Sequence, residues 1–187
     1  MKIYTAVGSR NTPPEVGAIM YDFAAVRASL GDRMATGGAP GADTFFLNGH
    51  YSVTSDNVDI YIPWDEFQGH YASKDKNVKI IHSKKGVIIA EKFYNQNNYG
   101  KKWDDLSYGG KQLMERNGHQ VLGESLDRPV DFLICWTQGG REIGGTSQTI
   151  RIAKHHKVPV INLGNEKHLK NIQNYLIKAK ASRKTKS

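Results

Sequence analysis

Two glycine-rich turns carry the residue types and spacing that could hold an anion. The first is Thr36-Gly37-Gly38-Ala39-Pro40-Gly41-Ala42-Asp43, and the second is Gly139-Gly140-Arg141-Glu142-Ile143-Gly144-Gly145-Thr146-Ser147-Gln148. Each follows a short apolar run of strand character, around residues 33–36 and 130–136, and each leads into a helical pattern. A strand that ends in glycines and restarts as a helix leaves backbone N–H groups unpaired at the helix start. The helix dipole adds positive potential at the same place. Glycine lets a ligand approach the backbone and permits positive φ. Two such turns in one sheet imply a single nucleotide-like ligand held from both sides. Neither turn reads G-x-x-x-x-G-K-[ST], and no dinucleotide fingerprint follows the first strand. The chain is therefore set apart from P-loop NTPases and nicotinamide-dependent dehydrogenases.

A third candidate segment, Gly8-Ser9-Arg10, closes the first strand pattern. Ser9 and Arg10 either meet a phosphate there or form a capped turn with an exposed arginine. Asp43 either caps its helix and faces the dipole, or contacts a ribose hydroxyl. His155 and His156 close a helix, where imidazole suits the dipole. No His, Cys or Asp cluster has metal-ligand spacing, so no metal and no other cofactor is expected. Trp64, Tyr71, Tyr94, Tyr99, Trp103 and Tyr108 offer rings for core packing or for stacking on a base.

The elements that must position these residues alternate along the chain. Residues 1–8 read as a strand, and Pro13-Pro14-Glu15 opens a helix with apolar Val16, Ile19, Met20, Phe23, Val26 and Leu30. Strand 33–36, helix 42–51 and strand 58–62 follow. Later come helix 106–122, strand 130–136, helix 146–156, strand 158–163 and helix 166–180. This order implies an α/β fold, a Rossmann-like three-layer sandwich with a mostly parallel sheet. Residues 65–105 fit the rhythm poorly and read as an insertion, a flap over the crevice or an oligomer contact. They contain one apolar run, Gly86-Val87-Ile88-Ile89-Ala90. A single domain over 1–180 with a basic tail at 181–187 is expected.

At 187 residues the chain can build one substantial core. Its 39% hydrophobic content includes no run of membrane-spanning length. The first residues run directly into a strand, with no signal-peptide pattern. The single cysteine, Cys135, excludes a disulfide framework and suits a reducing compartment, so a cytoplasmic location is expected. The net charge of +8 is concentrated toward the C-terminus, where it attracts phosphate backbones without specificity.

Taken in order, Gly8-Ser9-Arg10, the turn at 36–43, Met114-Glu115-Arg116-Asn117, Gly144-Gly145-Thr146 and Val158-Pro159-Val160 resemble a superfamily of Rossmann-like domains, the SLOG type. It includes the Lonely-guy, lysine-decarboxylase-like phosphoribohydrolases, the molybdenum-cofactor carrier proteins and the DNA-processing protein A domain. The resemblance covers most of the chain outside 65–105 and the tail. It implies ligand contacts from Gly8, Ser9, Arg10, Gly37, Gly38, Ala39, Gly41, Asp43, Arg116, Asn117, Gly144, Gly145 and Thr146. Homo-oligomers are common in the superfamily, so a homo-oligomer is expected here.

The departures matter for activity. The phosphoribohydrolases carry M-x-E-R-K, which Met114-Glu115-Arg116 resembles, and a glutamate in P-G-G-x-G-T-x-x-E that assists N-glycosidic cleavage. Here that glutamate position holds Thr149, preceded by Gln148. Neither side chain supplies negative charge to an oxocarbenium-like centre. The resemblance therefore favours binding of a nucleotide or an ADP-ribose-like molecule, with no catalytic residue assigned. An N-glycosidase is the alternative, in which Glu142, Glu115 or Asp43 substitutes. The third reading is a single-stranded-DNA-binding, recombination-mediator-like module.

Overall fold

The computed structural model describes residues 1–95, 102–142 and 144–184. Among the described residues six strands, all parallel, form one sheet: β1 (Ile3–Gly8), β2 (Arg33–Thr36), β3 (Val58–Tyr61), β4 (Val78–Lys79), β5 (Phe132–Trp136) and β6 (Val160–Asn162). Their spatial order is β4-β3-β2-β1-β5-β6. The chain thus winds outward from β1 to one edge, then returns to β1 and winds to the other. The switch falls between β1 and β5, which pair from Tyr4↔Phe132 to Gly8↔Trp136. In open α/β sheets, ligands bind beyond the carboxyl ends of the strands at such a switch.

Helices α1 (Pro14–Ser29), α2 (Ala42–Tyr51) and α6 (Glu166–Lys184) cover one face. Helices α3 (Lys84–Asn95), α4 (Tyr108–Leu122) and α5 (Gly145–His155) cover the other. The first core layer contains Met20, Phe23, Phe46 and Ile60, with Tyr4 stacked on Phe132 at 5.2 Å. The second contains Phe93, Val121, Leu133, Cys135, Ile150 and Ile152. Burial on both faces explains why Tyr4, Thr5, Ala6 and Val7 of β1 are all buried. Pro14 starts α1, where its missing N–H costs nothing. Gly49 lets α2 lie against the α1 backbone at Tyr21.

Several boundaries differ from the sequence expectation. Leu30 follows the end of α1 and is 60% exposed, so it does not extend that helix's buried stripe. Residues 65–105 contribute β4, which joins the sheet edge beside β3, and α3, which contains the 86–90 run. The segment therefore continues the winding rather than standing wholly apart from it. Ser107 caps α4 by accepting the Gly110 amide hydrogen at 3.1 Å, so the helix begins at Tyr108. Helix α6 runs to Lys184, four residues beyond the expected end. Among the described residues, no helix is long and apolar enough to cross a membrane.

Candidate functional site

At the switch point the ends of β1 and β5 open into a crevice of about 470 Å³. Gly8, Ser9 and Arg10 line it from β1, Ala39 and Asp43 from the first turn, and Arg116, Asn117 and Gln120 from α4. Gly144, Gly145, Thr146 and Thr149 close it from the second turn and α5.

The two glycine turns play different parts. The second is open: Gly144 and Gly145 are exposed, and Gly144, at φ +72°, precedes the first residue of α5. The N–H groups of Gly145 and Thr146 sit at the positive end of that helix, where no intrahelical acceptor exists. The first turn is buried. Gly37 is packed against the Gln120 amide and the Arg116 guanidinium, leaving no space for a Cβ. Gly38, at φ +63°, lies under the His70 ring, and Gly41 lies against the carbonyls of Ser9 and Arg10.

Asp43 is the anion of the first turn. Gly41 holds the N-cap position of α2, while Asp43 lies in the first helical turn and reaches back. Its Oδ2 accepts the amide hydrogens of Gly37 at 3.1 Å and Ala39 at 3.2 Å. Burial at 3% exposure pushes its pKa up to about 6, against the opposing influence of Arg116 and the Gly37, Ala39 and Gly8 amides.

Arg116 donates from Nη1 to the Gly37 carbonyl oxygen, and its guanidinium carbon stands 5.1 Å from the centroid of the Phe67 ring. Its Nε is buried without a hydrogen-bond partner among the described residues. Burial draws its pKa down to about 10, Asp43 counters that, and the neighbouring Arg10 adds to the lowering. At neutral pH it remains a cation. Asn117 lines the crevice and donates to Gln148 Oε1 at 2.8 Å, and Gln148 Nε2 donates to the Ala90 carbonyl at 2.8 Å. Gln148 thus ties α4, α5 and α3 together.

The other candidate acids point elsewhere. Glu115 accepts the Ser83 amide hydrogen at 2.7 Å and lies 2.9 Å from His82 Nδ1, on the side of α4 away from the crevice. Glu142 pairs with Lys154. Asp43 is the carboxylate among the described residues lining the crevice. Thr149 sits in its wall, 1% exposed.

Residues 64–70 cover the first turn: Phe67 packs under Arg116, His70 over Gly38, and Trp64 edge-on to Phe67 at 5.4 Å. Tyr94 and Trp103 are buried together, Tyr108 is exposed, and Tyr71 carries the Lys74 ammonium at 4.0 Å. Tyr99 and Ile143 lie outside the described residues. His155 and His156 stand 5.1 Å apart, and among the described residues no group of three or more His, Cys, Asp or Glu gathers to hold a metal.

Two supporting residues escaped the sequence reading. Asn162 donates to Thr137 Oγ1 at 2.7 Å and accepts the amide hydrogens of Thr137 at 3.1 Å and Gly164 at 3.0 Å. This fixes the loop leaving β5. Its signal was a polar residue inside the apolar run Val160-Ile161-Asn162-Leu163, a position that demands hydrogen-bond partners. Gln120 is 1% exposed in the crevice floor, and its Oε1 has no partner among the described residues.

No protein-family model matches the sequence, and no curated protein matches it. Among solved structures, the chain is similar to DNA processing protein A from Helicobacter pylori, in a structure describing how that protein binds single-stranded DNA. The identity is 16%, the TM-score 0.58, and the match covers 97% of this chain and 81% of the other. At that identity the likeness establishes a shared parallel α/β architecture.

Proposed function

We propose that the crevice binds a nucleotide, with its phosphate at the N-terminus of α5. The observation that carries this reading is the convergence of Arg10, Arg116 and the open Gly144-Gly145-Thr146 turn on one crevice of about 470 Å³. That volume falls within the range of small-molecule sites, roughly 300–1,000 Å³. The helix N-terminus supplies oriented N–H donors, and Arg10 supplies exposed positive charge. The first turn already holds the Asp43 carboxylate, which leaves the second turn for the ligand's anion. The ligand's sugar and base then lie toward Asn117 and Gln120.

A second reading, in which the nucleotide is one unit of single-stranded DNA, is supported by the Helicobacter pylori neighbour and by the +8 charge. Titration calorimetry with nucleoside monophosphates, ADP-ribose and an oligothymidylate separates the two. The leading reading expects saturable binding of a mononucleotide, weakened by Arg10→Ala and only mildly by salt. Single-strand binding expects far tighter association with the oligomer and a steep loss of affinity as salt rises. If no mononucleotide binds up to millimolar concentration, the leading reading fails.

A further inference from the structure

We propose that Asp43 couples ligand binding in the crevice to proton uptake, so that the site holds its anion more tightly as pH falls below neutral. This rests on the nucleotide reading of the crevice and concerns how that same site is regulated. Asp43 is 3% exposed, and it is the carboxylate among the described residues lining the crevice. The amide hydrogens of Gly37 and Ala39 hold it. Among the described residues it forms no ion pair. Both hydrogen bonds end on Oδ2, so a proton on Oδ1 leaves them in place. A buried carboxylate without a cation in direct contact favours its neutral form, and here burial raises the pKa to about 6.

Titratable and charged groups face Asp43 from several elements. From α4 comes Arg116, the cation that most opposes the shift, with the neutral Gln120 amide beside it at Gly37. The turn after β1 brings Arg10, next to Arg116, and the Gly8 amide, which also favours the carboxylate form. From residues 64–70 the His70 ring lies against Gly38, and burial lowers its pKa. Helix α1 carries Glu15 in its first turn, exposed to solvent. On α2 itself, His50 and Tyr51 stand at the far end of the helix, and His50 Nε2 meets the Asp56 carbonyl at 2.7 Å.

Arg116 offsets the Asp43 charge, and it faces the same crevice as the ligand. A phosphate bound there shares the attraction of Arg116 and adds negative charge near a carboxylate that the packed turn cannot release. Like charges in a partly desolvated site disfavour ionisation, so Asp43 takes a proton from solvent. The coupling is reciprocal: the proton raises anion affinity by the factor by which the anion raises proton affinity. The ligand's own chemistry has the opposite sign. A phosphate monoester loses its second proton at about pH 6, and the dianion is the better partner for a positive site. A crevice that tightens on its anion toward acid therefore reports Asp43 or His70, and substitution of Asp43 separates these two.

The test uses the full chain and whichever of AMP, GMP, CMP and UMP binds it most tightly by calorimetry. In protein carrying carbon-13-labelled aspartate, NMR follows the Asp43 carboxyl carbon across pH with and without saturating nucleotide. Its titration midpoint is expected to rise on binding. Calorimetry across the same pH range then compares wild type with Asp43→Asn, a comparison that cancels the titration of the phosphate and of His70. The two proteins should bind alike in acid. Above neutrality the wild type should bind at least about fivefold more weakly than the variant, the lower end of ordinary coupling between sites. Thermal melting checks that the variant folds, and if it does not, the wild-type midpoint decides. A midpoint unmoved by bound nucleotide, or parallel pH profiles in the two proteins, overturns the coupling and leaves the nucleotide reading in place. Absence of binding by all four nucleotides up to millimolar concentration overturns both.

Discussion

The Asp43 carboxylate accepts the amide hydrogen of Gly37 at 3.1 Å, so the first glycine turn encloses an anion of its own. The same residue, Gly37, offers its carbonyl oxygen to Arg116. One buried peptide segment therefore separates a carboxylate from a guanidinium that influence each other without direct ion pairing. The turn acts as a scaffold that sets Arg116 at the crevice, and in the proposed reading the ligand's anion goes to the open turn at Gly144.

The first prediction concerns the pH dependence of stability. The Asp43 pKa of about 6 in the folded protein lies above the unperturbed carboxylate value of about 3.9. The folded state thus holds this proton more tightly than the unfolded chain does. The stability it contributes is fully present below about pH 4 and is lost as pH rises to about 6. The difference corresponds to about 3 kcal/mol. Urea unfolding of the wild type and Asp43→Asn across this window isolates the effect. Wild-type stability relative to the variant should fall as pH rises, and a constant difference refutes the assignment.

Arg116→Ala should weaken nucleotide binding by about 1.5–3 kcal/mol, the usual worth of a hydrogen bond to a charged group. The nearby acids are engaged elsewhere, Glu115 with Ser83 and His82, and Glu124 with Lys79. Titration calorimetry with the tightest-binding nucleotide checks this, with Arg116→Lys as a second variant. Lysine retains charge but loses the fork that reaches Gly37 and, in the proposed reading, would reach the ligand at the same time. Unchanged affinity in Arg116→Ala would remove the residue from the site.

Much of this arrangement was legible in the sequence, and what was not has identifiable causes. The buried strands β1, β2, β3 and β5 announced themselves because their apolar runs end in turn residues, and those after β1, β2 and β5 line the crevice. Strand β4 has two residues, too few for any periodicity, and it joins the sheet only through pairing with β3. The place of Arg116 at the crevice followed from local motif context, whereas the partners of Glu115 lie about thirty positions away in the chain, at His82 and Ser83. The inward reach of Asp43 was hidden for a related reason. Whether a first-turn carboxylate caps its helix or turns under the preceding loop depends on how that loop packs, here beneath residues 64–70 and α4.

Gly37→Ala and Gly144→Ala should differ sharply. A methyl group on Gly37 meets the Arg116 guanidinium and the Gln120 amide, so one of them must move. Overpacking of this kind costs about 1–3 kcal/mol, and the displaced arginine should lower ligand affinity as well. At Gly144 nothing lies within 4 Å of a Cβ, but φ is +72°. The penalty there is conformational, about 1 kcal/mol, with the crevice left open. Thermal melts of both variants test the contrast, because Gly144 itself belongs to the proposed phosphate turn. Equal loss of stability in the two proteins would contradict a scaffolding role for the first turn.

The last prediction concerns the absent carboxylate. Thr149 lines the crevice, at the position that the sequence resemblance aligns with the phosphoribohydrolase glutamate, and Glu115 and Glu142 are both engaged away from it. The wild-type protein should therefore bind a nucleotide without releasing its base at an appreciable rate. Electrostatic stabilisation of a developing charge at a preorganised site is worth several kcal/mol, so its loss slows glycosidic cleavage by orders of magnitude. Chromatography of nucleoside monophosphates incubated with the purified protein reads this directly. Thr149→Glu should add at most slight hydrolysis, because the position is 1% exposed and a longer side chain must displace its neighbours. Rapid base release by the unmodified protein would overturn the binding reading. It would then assign the reaction to Asp43, whose pKa of about 6 suits proton transfer near neutrality, and Asp43→Asn should abolish that release.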